Sequence, residues 1–210
     1  YHLSIQLGIY HFSYCLLNTT TFTYDYVKKY SLNSSENTAT EITEIINNDT
    51  ILKAEFSSQS IAFVNFPSTL VPNNLYKKEE AEIQLAFNTK VNGTVLADNI
   101  VSQKAHLIYS VPESILTIVS NFFPKAKYKA QESILIQEYS QLNTEKKKAY
   151  LYLNEQKVSI TIFNEDKLIF NNSFKYTSKE DLLYYVLFSF EQLNLSPESI
   201  DVTVFGTIED

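Results

Sequence analysis

The chain has 210 residues, 44% of them hydrophobic and 20% charged, which suits one large or two small globular domains and excludes a disordered chain. Its net charge of −7 and its lack of arginine argue against a nucleic-acid partner, because positive charge binds phosphate backbones and the arginine fork reads guanine edges. A single cysteine, Cys15, excludes an intrachain disulfide and favours a cytoplasmic location, where thiols stay reduced.

The first third of the chain is predicted to form three strands, a helix and a fourth strand. The three strands, at residues 3–9, 12–17 and 21–26, are short apolar-rich segments separated by polar connections. Thr38 and Glu41 have the spacing of a helix start, and isoleucines follow them at helical intervals. Residues 61–66 are apolar enough for a buried strand.

Three more helices and one strand are predicted before residue 143. The helices cover about 74–87, the segment from Pro112 to just before Pro124, and 130–142, and the strand covers 107–111. The polar, charged segment 143–148 is predicted to be a hinge. The hinge divides the chain into a first domain, 1–143, and a second domain, 144–210.

The second domain repeats the order of the first. Residues 149–153, 158–163 and 168–170 predict an antiparallel meander with turns between its strands. Thr177 and Glu180 have the spacing of a capping box before a helix with an apolar stripe, and residues 200–204 predict a last strand. The helix is long enough for a crossover, so this strand should lie parallel to the first strand of the domain.

The repeat of strand, strand, strand, helix, strand begins about 145 residues after the first copy, which indicates a duplication. In the first domain, a helix, a strand and a helix follow the fourth strand, whereas the sequence ends soon after Gly206 in the second. We therefore expect the second domain to be incomplete here and the natural protein to continue for about 50 residues.

Five stretches resemble a domain-of-unknown-function family (number 3822) of the Bacteroidetes: LSIQLGIYHFSYCLLNT, LVPNNLY, IYSVPESIL, FNNSFKYTSKEDLLYYVLFSFEQLNL and VFGTI. The most specific of them is TSKEDLLYYVLFSFEQL. At greater distance the chain is similar to actin-like ATPases of the PilM and FtsA type. This resemblance implies a duplicated actin-like ATPase, or ribonuclease H-like, fold of the α/β (α+β) class, with two mixed five-stranded sheets.

The resemblance also implies where a nucleotide would lie. In actin-like ATPases, the first hairpin of each domain carries an aspartate that binds the metal and a glycine that lets the backbone approach the phosphates. A glycine pair follows the fourth strand of the second domain, close to the adenosine. Here Gln6 stands at the first acid position and Gly8 is retained, while Tyr152 and Asn154 occupy the second pair. Only Gly206 remains of the glycine pair. Both acids are absent, so the expected site is a vestigial nucleotide cleft without metal or cofactor.

Other chemistry finds little support in the residues. His2, His11 and His106 have no metal-ligand spacing, and a nucleophilic pair of His11 with Cys15 lacks an indicated third partner. Glu155 is interpreted as a turn residue, and the acidic cluster at 79–82 as a solvated helix face. No run of about 18 apolar residues occurs, so no membrane insertion is predicted.

Three functions stay open from the sequence. The first is a catalytically inactive actin-like module that serves as a scaffold or protein-binding partner, for which the tyrosine-rich stretch 24–30 is a candidate surface. The second is a nucleotide-binding protein with a divergent pocket. The third is an enzyme of unrelated chemistry in the interdomain cleft. We expect the first, and we expect no enzymatic activity.

Overall fold

The computed structural model describes residues 1–33, 37–142, 146–154 and 157–206. The chain divides into two compact units, Tyr1–Ile134 and Leu135–Asp210. The elements of the first unit, in chain order, are β1 (His2–Leu7), β2 (His11–Asn18), β3 (Thr23–Ser31), α1 (Thr38–Asn48), β4 (Ser58–Phe63), β5 (Ser68–Pro72), α2 (Ala81–Ala86), β6 (Thr94–Ile100), β7 (Ala105–Val111), α3 (Glu113–Phe122) and β8 (Lys127–Ala130). Helix α4 (Gln131–Leu142) crosses the boundary. The second unit continues with β9 (Lys147–Asn154), β10 (Lys157–Asn164), β11 (Lys167–Lys175), α5 (Lys179–Gln192) and β12 (Asp201–Gly206).

The main sheet of the first unit has the strand order β3-β2-β1-β4-β8. Strand β1 is antiparallel to β2 and parallel to β4, and β8 is parallel to β4. Alternation along β1 buries Leu3, Ile5 and Leu7 on one face. On α1, Ile42 and Ile46 lie one turn apart and are buried as well, which is the apolar stripe that makes this segment a packed helix.

The second unit repeats this topology in the order β11-β10-β9-β12, with β12 parallel to β9. Its core joins alternating residues of β9, such as Leu151, to Val186 and Phe190 of α5. Strand β9 begins 145 residues after β1. The predicted duplication of element order is therefore also a duplication of strand order and direction.

The prediction of two five-stranded sheets is wrong in its details. The described residues form sheets of five, four and three strands. The predicted strand at 107–111 exists as β7, but it pairs with β5 and β6 in the three-stranded sheet. The neighbour of β4 is instead β8, the four-residue strand KYKA. It escaped prediction because it is too short and too polar to show a period.

The helix predicted at 74–87 is shorter than expected. A 3₁₀ turn at Lys78–Glu80 precedes α2, which covers only Ala81–Ala86. Ala81 and Leu85 of α2 are buried in a cluster with Ile108 of β7. The helix is thus held by packing on the three-stranded sheet and ends where its apolar stripe ends.

The start of α5 is shifted by one residue from the predicted capping box. Ser178 is the N-cap, and its hydroxyl accepts a hydrogen bond from the Asp181 N–H. The Asp181 carboxylate in turn accepts from the N–H and the hydroxyl of Thr177. Asp181 therefore takes the place of the predicted Glu180, and its capping bonds join it to both Ser178 and Thr177.

Strand β12 forms the outer edge of the second sheet within the described ranges. Val202 and Val204 of this strand each remain 44% exposed.

The residues predicted as a hinge overlap the start of β9 at Lys147, and 143–145 lie outside the described residues. The domain boundary at 143/144 stays a prediction. None of the helices in the described segments is long and apolar enough to cross a membrane.

Candidate functional site

Gln6 lies on β1, opposite Ser13 of β2. Its side chain is half-buried, and its amide oxygen accepts a hydrogen bond from the Ser13 hydroxyl at 3.4 Å. The Ser13 hydroxyl also lies 3.3 Å from His11 Nε2. The predicted acid position thus carries a neutral amide within a small polar network, and an amide cannot neutralise Mg²⁺.

Gly8 follows β1 and is buried. Its N–H donates to the His11 carbonyl at 2.9 Å, which closes the hairpin. A Cβ placed on Gly8 would lie 3.2 Å from the Val64 carbonyl oxygen. The space that the missing side chain leaves is therefore used by the chain itself, at the end of β4.

Asn154 and Gly206 end two neighbouring parallel strands, β9 and β12. Gly206 pairs with Leu153 and has φ +100, a region that favours glycine. A Cβ at this position would lie 1.9 Å from the Leu153 carbonyl oxygen. Strand pairing within the second unit thus requires glycine here, independently of any ligand. Glu155, interpreted from the sequence as a turn residue, lies outside the described residues.

The four predicted site residues therefore form two pairs. Gln6 and Gly8 share the β1–β2 hairpin of the first unit, and Asn154 and Gly206 share one end of the β9–β12 pair in the second. The vestigial cleft that would combine them stays a prediction.

His2 and His106 contact neighbouring side chains, and Cys15 is half-buried. His2 lies 2.7 Å from the Ser58 hydroxyl and 2.9 Å from that of Ser60, and burial lowers its pKa. His106 stacks on Tyr76. Burial raises the pKa of the Cys15 thiol, which opposes thiolate chemistry. No group of three or more potential metal ligands occurs within the described ranges.

The sequence analysis missed a buried carboxylate just after α1. Asp49 is 5% exposed, and its Oδ2 accepts from the Tyr14 hydroxyl at 2.8 Å, the Tyr30 hydroxyl at 2.7 Å and Lys28 Nζ at 3.0 Å. Its Oδ1 accepts from the Ile51 N–H. Burial opposes the charge, but the hydrogen bonds outweigh it and hold the pKa of Asp49 below its usual range. This network ties α1 to β2 and β3.

A second missed residue is Asp98 of β6. Its carboxylate accepts from the Ala130 N–H at 2.7 Å and from the Ser133 hydroxyl. It thereby satisfies donors at the start of α4 and fixes the junction of β8 and α4 to the three-stranded sheet. The sequence around Asp98 does not predict this role, because its hydrogen-bond partners follow 32 and 35 residues later in the chain.

The residues 1–210 match the family model "Protein of unknown function (DUF3822)" over their whole length. The chain belongs to the DUF3822 family. This membership confirms the resemblance drawn from the five sequence stretches. A search of curated proteins gives no match to this DUF3822 chain.

Two solved structures place the fold. A protein from Bacteroides thetaiotaomicron VPI-5482, described as having an actin-like ATPase fold and unknown function, is 23% identical and superposes with a TM-score of 0.92. The alignment covers 100% of the DUF3822 chain and 83% of that protein. A chain of the PilM-PilN type IV pilus biogenesis complex is 11% identical with a TM-score of 0.52, over 90% of the DUF3822 chain and 66% of its own length. The DUF3822 chain is thus similar to actin-like ATPase folds.

In the second unit, the buried hydroxyl of Tyr139 has no hydrogen-bond partner among the described residues. Tyr139 of α4 stacks on Tyr150 of β9, with ring centroids 4.2 Å apart and planes at 2°, and on Phe205 of β12 at 5.5 Å. Burial is also the main reason that the pKa of Tyr139 is raised. The ring thus contributes packing while its hydroxyl carries a desolvation cost.

We expect the Tyr139→Phe variant to be about 1 kcal/mol more stable, because removing a buried unpaired hydroxyl removes its desolvation cost. Urea denaturation followed by circular dichroism measures the change. Tyr139→Leu is the control, since it loses the ring stack and should be destabilised. A Tyr139→Phe variant less stable than the native chain would show that the hydroxyl does have a partner.

Proposed function

We propose that this DUF3822 chain is a catalytically inactive actin-like ATPase-fold module that acts in the cytoplasm as a scaffold or protein-binding partner. The observation that carries the proposal is the state of the β1–β2 hairpin. Gln6 places a neutral amide at the expected acid position, and Gly8 contacts Val64 closely. A module without a metal-binding acid lacks the charge that holds Mg²⁺ and orients water for phosphoryl transfer.

The protein-binding role has support of a different kind. The fold shared with the PilM-PilN complex occurs there in a protein that assembles with a protein partner. The net charge of −7 disfavours nucleic acid as the alternative macromolecule. We therefore propose a protein partner, no nucleic acid, and no nucleotide requirement.

The test is thermal unfolding with ATP and Mg²⁺ at millimolar concentration, together with an assay for released phosphate. We expect no shift of Tm and no phosphate release. A nucleotide present at 100 times its Kd would stabilise the chain by about 2.7 kcal/mol, a shift that this method resolves easily. Such a shift without phosphate release would favour a nucleotide-binding protein with a divergent pocket instead. Phosphate release that Gln6→Ala abolishes would overturn the proposed inactivity.

A further inference from the structure

The second unit has an apolar face that its described elements leave partly uncovered. Leu183 and Leu187 of α5 are exposed, and so are Val202 and Val204 of β12. Val204 pairs with Leu151, which belongs to the core between the sheet and α5. Because side chains alternate along a strand, both valines lie on the side of the sheet that carries α5. Exposed apolar surface of this kind marks a place where another element or molecule packs.

The internal duplication shows that the equivalent position of the first unit is buried. Ile5 of β1 and Leu151 of β9 each pair with the residue nine positions later in the chain, so these two residues correspond. Ile5 is also paired with Ile61 of β4, and Leu151 with Val204 of β12. Ile61 and Val204 are therefore equivalent, yet Ile61 is 1% exposed and Val204 is 44% exposed.

Two further elements accompany β4 in the first unit. Helix α3 packs beside α1 and buries Ile115 and Val119, which lie about one turn apart. Strand β8 follows α3 and pairs in parallel with the outer side of β4. In the described part of the second unit, no helix follows α5 and no strand pairs with the outer side of β12. The described residues of the second unit thus include no counterpart of α3 or β8 to cover Val204.

Helical geometry identifies the side of α1 that faces β4. Glu41 and Ile45 of α1 line a recess together with Tyr30 of β3, so this side of the helix faces β3. Ala39 and Thr43 lie on the opposite side of α1, because successive residues of a helix are rotated by about 100°. Since β1 and β4 follow β2 in the order of the sheet, this opposite side faces β4. Ala39 and Thr43 are both half-buried there.

The same geometry places the exposed leucines of the second unit beside β12. The two helices align on their buried apolar pairs, Ile42 with Ile46 of α1 and Val186 with Phe190 of α5. On this alignment, Leu183 and Leu187 of α5 take the places of Ala39 and Thr43 of α1. The leucines of α5 and the valines of β12 therefore border the same strip of surface, on the side where α3 lies in the first unit.

We infer that a helix following β12 in the same polypeptide packs on this strip of α5 and β12, and that a strand after it pairs in parallel with the outer side of β12. The helix is the counterpart of α3, and its apolar stripe covers Leu183, Leu187, Val202 and Val204. The similar Bacteroides protein supports the inference, because the alignment covers the whole DUF3822 chain but only 83% of that protein. The inference goes beyond the proposed function and does not depend on it.

Thiol labelling of the natural protein, including every residue that follows 210, tests the inference. The variants are Leu183→Cys and Ile83→Cys, each made with Cys15 and any later cysteine replaced by serine. They are matched, because both native side chains lie on helices and are 58% and 62% exposed within residues 1–210. Each labelling rate is divided by the rate of the same variant unfolded in urea. We expect the thiol at position 183 to react about tenfold more slowly than that at position 83, because the following helix limits access to it.

A second pair of variants measures the same contact through stability. Leu183→Asp should lower the urea midpoint of the natural protein more than Ile83→Asp, because it buries a carboxylate among apolar side chains. Equal labelling at positions 183 and 83 would overturn the inference, and so would a natural protein in which β12 is the last element. Protection at position 183 that rises with protein concentration would also overturn it, since the surface would then bind a second copy of the chain. None of these results bears on the nucleotide test.

Discussion

The Asp49→Ala variant is expected to lose about 3 kcal/mol of its free energy of unfolding, because the change leaves buried hydroxyl donors without their acceptor. Tyr14, 2% exposed, and Tyr30 both donate to the Asp49 carboxylate, and the Ile51 N–H donates to its other oxygen. Urea denaturation at pH 7 measures the loss. Asp49→Asn is the matched control, since it keeps an acceptor oxygen and should lose less.

The same carboxylate predicts a pH dependence. Hydrogen bonds hold the pKa of Asp49 below its unfolded value despite burial, and that unfolded value is about 3.9. Because the folded chain favours the ionised carboxylate, the charge stabilises the folded state fully at pH values above the unfolded pKa. This stabilisation is lost as the pH falls from the unfolded pKa through the folded pKa. The stability difference between the native chain and Asp49→Asn should therefore be constant from pH 7 to about pH 5 and shrink below about pH 4. A difference that stays unchanged down to pH 2 would contradict an ionised Asp49.

The Gly206→Ala variant is expected to destabilise the second unit by about 3 kcal/mol, because alanine is strained at this positive φ and its Cβ collides with the Leu153 carbonyl oxygen. Gly8→Ala is the comparison. Gly8 has no positive φ, and its Cβ would meet the Val64 carbonyl at 3.2 Å, a contact that small shifts relieve.

We expect hydrogen exchange to show faster opening of β9 and β12 in Gly206→Ala, and only a small change around β1 in Gly8→Ala. A larger loss in Gly8→Ala would mean that the β1–β2 hairpin tolerates no shift of β4. Equal stability of Gly206→Ala and the native chain would show that the end of β12 can separate from Leu153. The two variants thus separate a glycine that the fold requires from one that is favoured by close packing.

The sequence predicted the duplicated part of the fold because that part has strong periodic patterns. The strands of the second unit alternate clearly along β10, and α5 follows a cap and an apolar stripe. Strands β5, β6 and β8 carry half-buried and polar residues, so no period distinguishes them from loops. The three-stranded sheet was therefore missed, although its central strand β7 was recognised.

The candidate site was predictable only in part. The resemblance placed Gln6 and Gly8 in one hairpin, and strand register then supplied Ser13 as the partner of Gln6. The Asp49 network was not predictable, because its partners Tyr14 and Tyr30 lie 35 and 19 residues away and meet only after the sheet forms.

The outer edge of β12 has a consequence for the refolding of a polypeptide of residues 1–210. In the first unit, β8 pairs with the outer side of β4, whereas no described strand pairs with the outer side of β12, beside the exposed Val202 and Val204. Such an edge is a template for strands of other molecules. We therefore expect refolding of residues 1–210 to compete with intermolecular strand addition, with a yield that falls as the protein concentration rises.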